Sequence, residues 1–155
     1  MLHTLLIAAH AASGIAAFAS GCLALRRPPR GVPATFRVYL AALWLMALFL
    51  LLAVAIDWGM LATVGRLLYA ALAALALYMV WRGWRAFGDL RQRGADWIGA
   101  YIDDVGFTLI ALFAGFVIIG ALDLGAPLWL VVAIGVLAIL VGRHTISRTK
   151  TIVAA

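Results

Sequence analysis

Hydrophobic positions fall into five long runs separated by short polar gaps, at about residues 4–25, 38–56, 61–81, 105–122 and 126–144. A run near twenty residues, at about 1.5 Å per helical residue, matches a bilayer core of about 30 Å. The Leu45–Leu52 stretch is apolar on every side, as lipid contact requires. The pattern predicts an all-α polytopic integral membrane protein, a bundle of five transmembrane helices in one domain over residues 1–155.

The gaps define the connections. Asp57-Trp58-Gly59-Met60 is too short for anything but a tight helical hairpin, with Trp58 as an interfacial anchor. The Arg26–Arg37 gap holds Pro28, Pro29, Gly31 and Pro33, which stop a helix, and Thr35 is expected to cap the next one. Within residues 82–104, Trp84, Phe87 and Leu90 predict a short helix lying on the membrane surface, with Arg82, Arg85, Asp89 and Arg93 toward water. Asp103-Asp104 then fits the positive end of the fourth helix dipole. Asp123-Leu124-Gly125-Ala126-Pro127 turns into the fifth helix, which is short unless it extends through Gly142–Ile146.

The first run opens with Met1-Leu2-His3-Thr4, without the basic start of a signal peptide. It continues past Ala19-Ser20-Gly21-Cys22, a faint likeness of a lipoprotein cleavage box, to Arg26-Arg27. A retained helix is therefore expected. Ala9, Ser13, Ala17 and Gly21 recur along it every four residues, with Gly14 beside them. Small residues let helix backbones approach closely in lipid. Ser13, Gly14, Ala17 and Gly21 are thus expected to pack either within the bundle or onto another chain.

Composition agrees with the pattern. The chain is 67% hydrophobic and 12% charged, with a mean hydropathy of +1.13. Such a surface does not suit a soluble domain. The net charge of +6 does not indicate a nucleic-acid partner, because the basic residues lie in the gaps. With the N-terminus outside and the C-terminus cytoplasmic, eleven of the twelve basic residues fall inside, as in a bacterial cytoplasmic (inner) membrane. Arg82, Arg85, Arg91 and Arg93 are then placed to meet anionic lipid head groups.

Arg66 is the arginine set well inside an apolar run, Arg143 lying only at the last residues of the fifth, and an arginine there needs a partner, water or a route to the interface. His10, Asp57 and Tyr69 are expected at similar depth, with His3 nearer the surface. Together they form a candidate site for a small anion, a polar head group or a proton. The simpler alternative has Arg66 pairing with Asp57 across the hairpin and His10 bonding a backbone or hydroxyl partner.

Other chemistry is missing from the sequence. Cys22 is alone, so no intrachain disulfide or thiolate metal site follows. His10 and His144 stand about a membrane thickness apart. His3 and His10 share a face but lie about 10 Å apart along it, so neither pair clamps a haem. No cofactor or metal is expected. The chain has no Glu, no H-E-x-x-H and no Gly-rich phosphate loop, and no enzyme activity or catalytic set is expected.

His10, Gly14 and Gly21, followed by Arg37 and Tyr39, carry a resemblance over about residues 3–55. The stretch resembles an uncharacterised, domain-of-unknown-function family of small bacterial polytopic membrane proteins. Its members open with a His-containing Gly/Ala-rich helix, a basic loop and an Arg-x-Tyr start to the second helix. They usually carry a His before that Arg, where this chain has Thr35-Phe36. The resemblance implies a helical bundle and no activity. The leading expectation is a structural or accessory subunit, as a homo-oligomer or in a larger membrane complex. The alternative is a carrier or binding protein for a small anion or lipid.

Overall fold

Five helices run in chain order: α1 (Leu2–Leu25), α2 (Ala34–Asp57), α3 (Thr63–Gln92), α4 (Trp97–Asp123) and α5 (Leu128–Ala154). They are drawn from a computed structural model that describes residues 1–26 and 32–154. Among the described residues there is no strand. Four helices are long and apolar enough to cross a membrane: Leu2–Leu25, Ala34–Asp57, Gly65–Gln92 and Trp97–Ala121. The described apolar stretch of α5 is shorter, Gly135–Ser147.

Several boundaries differ from those the hydropathy predicts. The predicted first loop is shorter, and its residues 27–31 lie outside the described residues. Pro33 stands at the N-cap of α2 and Thr35 sits inside the first turn, so Thr35 is not the cap. The early start brings Phe36 and Tyr39 into the core, both fully buried.

The separate surface helix does not form. Instead α3 continues to Gln92 and stops where Arg93 takes a left-handed conformation, its N–H bonding the Asp89 carbonyl. The helix continues through Gly83 and Gly88 because packing compensates for their low helix propensity. A Cβ on Gly83 would lie 3.0 Å from Leu40 and 3.1 Å from Leu43, so its bare backbone lets α3 close on α2. Ala76, Met79, Val80, Gly83, Ala86 and Leu90 recur at helical spacing and are buried, whereas Trp84 is exposed.

The fourth helix also begins early, at Trp97. Asp103 and Asp104 therefore lie past its first turn, and Asp104 is buried rather than placed against the dipole end. At its far end α4 closes with a Schellman arrangement. Gly125 has φ +75°, and the Ala126 N–H bonds the Ala121 carbonyl at 2.9 Å. Gly125 suits that left-handed position, and Pro127 precedes α5.

Small residues set the closest approaches. The α1 face of Gly14, Ala17 and Gly21 is buried, with Ser13 half-buried beside it. A Cβ on Gly21 would lie 2.8 Å from Leu109 of α4 and 3.0 Å from Tyr39 of α2. One on Gly14 would lie 3.2 Å from Phe116 and 3.8 Å from Met46. This face is therefore filled by α2 and α4 of the same chain and is not open to another. Between α4 and α5 each helix offers glycines to the other's isoleucines: Gly106 faces Ile146, Gly142 faces Ile110 and Gly135 faces Ile118. The pairs run in opposite chain directions, as antiparallel neighbours joined by a tight turn must.

Filling the α1 notch measures this packing. Gly21→Leu is expected to lower stability by about 1–3 kcal/mol through overpacking. Gly88→Ala, with nothing within 4 Å of its Cβ, should be neutral or gain up to about 1 kcal/mol in helix propensity. Thermal unfolding in detergent, followed by circular dichroism, compares the two.

Candidate functional site

The charged residues of the Arg-rich end do not simply face water or lipid. One face of α4 carries Tyr101, Asp104 and Thr108 at helical spacing, all buried, with Val105 between them. Each polar side chain meets a different helix.

Tyr101 donates its hydroxyl to the Ala24 carbonyl of α1 at 3.1 Å. Ala24 lies in the last turn of α1, where carbonyls have no intrahelical partner, so Tyr101 supplies a missing donor. Thr108 donates to the Val105 carbonyl at 2.8 Å. Its only proton is thereby used, so the Tyr39 hydroxyl of α2 is the donor in the short Tyr39–Thr108 bond. Asp104 meets α3, where Arg82 Nε lies 2.5 Å from Oδ1 and Arg85 Nε 3.5 Å from Oδ2.

Arg82 is held further by its other nitrogens. Nη2 donates to the Asp103 carbonyl at 2.9 Å and Nη1 to the Tyr78 hydroxyl at 3.3 Å. Its guanidinium also stands 5.0 Å from the Phe107 ring centre. The Arg82–Asp104 contact is close but is not aligned as a hydrogen bond at Nε. Asp104 Oδ2 and Asp89 Oδ2 are buried oxygens that accept no hydrogen bond from the described residues. The pair is thus held mainly by charge in a poorly solvated setting, where loss of either partner is costly.

This changes the roles assigned to the four arginines. Arg82 is drawn inward as a structural cation, and Arg85 reaches Asp104 while stacking 4.9 Å from the Trp81 ring. Arg91 and Arg93 stay exposed at the end of α3, over the rings of Phe87 and Trp97. Arg85, Arg91 and Arg93 are exposed, whereas Arg82 is not. The sequence carried a readable signal for the cluster: Tyr101, Asp104 and Thr108 share one face. It is visible only once the helix is extended back to Trp97.

At the opposite end, Arg66, Asp57, His3, His10 and Tyr69 do not gather into one cluster. Asp57 pairs with His3 Nδ1 at 2.8 Å, not with Arg66. Arg66 reaches the turn, where Nε donates to the Trp58 carbonyl at 3.1 Å and a second nitrogen to the Gly59 carbonyl at 3.5 Å. These carbonyls lie at the C-terminal end of α2, the negative end of its dipole, and so offer a cation an alternative to the carboxylate. His10 Nδ1 donates to the Met46 carbonyl at 2.9 Å, the backbone partner the simpler sequence alternative allows. His10 lies about 10 Å deeper than His3 along α1. Tyr69 is exposed on α3.

The chain matches no protein-family model, no curated protein and no solved structure.

Replacing both members of the ion pair separates its energetics from its charge. Asp104→Leu alone should cost about 3–5 kcal/mol, because Arg82 is left unpaired. Arg82→Met combined with Asp104→Leu should recover most of that loss. Denaturant unfolding in detergent of the two singles, the double and the parent reads the coupling directly.

Proposed function

We propose that this chain is a multi-pass protein of the bacterial cytoplasmic membrane, acting as a structural or accessory subunit that packs against itself or a partner membrane protein. Its five helices all span, with the N-terminus outside and the Arg-rich end in the cytoplasm. Four apolar helices of sufficient length support the membrane placement. The arginines gathered at one end support the orientation.

The observation that carries the subunit role is the uneven packing of α3. From Ala76 onward one face is buried at regular spacing. From Arg66 to Leu75 every residue except the half-buried Ala73 is exposed. Ala70, Ala71 and Ala74 make much of this surface smooth, and smooth helix surfaces favour close helix contact over lipid contact. The half-helix thus has the character of an interface without an intrachain partner. No catalytic set competes with this reading.

The test is native mass spectrometry of the protein extracted in mild detergent. Masses at multiples of the 16.5 kDa chain, or with another polypeptide attached, are expected. Ala71→Leu with Ala74→Leu should reduce the associated fraction while leaving helix content unchanged. A parent protein that is entirely monomeric overturns the reading. An assembly indifferent to both substitutions moves the interface off α3.

A further inference from the structure

The cleft between α1, α4 and α5 has a volume of about 530 Å³. It exists because α1 and α5 both pack on α4, while no contact is made between α1 and α5 among the described residues. The strip of α4 between them, from Ile102 through Gly106 and Leu109 to Phe113, forms its floor. Ile102 and Ile146 line one end and Phe113 and Ala138 the other. Along α4, Ile102 to Phe113 is about 16 Å, close to half of a bilayer core of about 30 Å. At the far end of the described lining, Phe18 of α1 stacks on Phe113 of α4 with ring centroids 6.3 Å apart. The walls are largely apolar, and the exposed Arg26 stands at the shallow end, where α1 finishes.

We propose that this cleft holds one acyl chain of an anionic phospholipid from the leaflet at the Arg-rich end, with Arg26 meeting the phosphate. Depth, shape and charge select this occupant. A partner helix would need a groove about 10 Å wide along the whole membrane, whereas the described lining of this one covers about half of that depth. A flexible chain of one leaflet fits that length. The volume lies in the range of small-molecule sites, about 300–1,000 Å³. Arg26, the cation that lines the mouth among the described residues, favours a negative head group over a zwitterionic one. The inference uses no residue of the exposed α3 surface, so either can fail without the other.

The experiment is native mass spectrometry of the delipidated full chain. Phosphatidylglycerol and phosphatidylcholine with identical palmitoyl-oleoyl chains are added in competition. One phospholipid per chain is expected, with phosphatidylglycerol favoured about five-fold, the effect of one cation near an anionic head group. Arg26→Gln should bring the two lipids close to parity while keeping one bound. Cys22→Trp places an indole in the cleft and should release both, with helix content matching the parent by circular dichroism. Retention of the lipid by a folded Cys22→Trp protein overturns the site. An unchanged five-fold preference in Arg26→Gln overturns the head-group assignment, whether or not the tryptophan variant folds. A parent dimer that Cys22→Trp splits identifies a second copy as the occupant and overturns the lipid.

Discussion

The buried contact of Arg82 with Asp104 is the constraint around which the Arg-rich end is arranged. Removing two charges from water costs several kcal/mol per ion unless both are paired and their remaining polar groups satisfied. Here the charges sit near the ends of α3 and α4, and the arginine uses its other nitrogens on Asp103 and Tyr78. That geometry fixes the rotation of α4. With Asp104 turned toward α3, Tyr101 is presented to α1 and Thr108 to Tyr39 of α2. One rotational setting thus satisfies three buried polar residues at once. A rotation that broke the ion pair would also strand the Tyr101 hydroxyl and the Ala24 carbonyl.

Apolar packing works differently, because lipid offers no hydrophobic drive between helices. Contact must come from fit. The Gly21 notch receives Leu109 and Tyr39, and the reciprocal Gly–Ile pairs seat α5 on α4. These contacts are short-range and tolerant of axial rotation by themselves. The polar face of α4 adds the angular specificity that smooth glycine contacts lack. The two kinds of contact divide the work: glycines set distance and polar pairs set orientation.

Apolar run length made the helices legible, since the solvent imposes their number and approximate spans. Their ends were less so. The stretch from Arg82 to Asp104 carries charge and four glycines, a composition that reads as a surface connection. It folds instead as the continuation of α3 and the early start of α4, because Gly83 buries against Leu40 and Leu43 and the aspartate finds a cation. A one-dimensional pattern does not show that a charge at position 82 and another at 104 cancel in space. The outer candidate residues show the same limit. Arg66 was legible as a residue in need of a partner, but its partners are the Trp58 and Gly59 carbonyls of the turn, while Asp57 pairs with His3 from another helix.

The resulting asymmetry has a functional meaning. At the Arg-rich end, buried hydrogen bonds and an ion pair tie α1, α2 and α3 to α4. At the other end the polar contacts are partly exposed, and α3 stands out from Arg66 to Leu75 with little intrachain cover. Local opening follows the sparsest contact. The half of α3 from Arg66 to Leu75 is therefore the part with least intrachain cover among the described residues, and the one whose order a neighbouring helix would increase. A neighbour that bound there would act on a lever whose other half is clamped by Arg82, so the response would be confined to α3 rather than spread through the bundle. That separation lets one end serve as a fixed base while the other adapts to what it meets in the membrane.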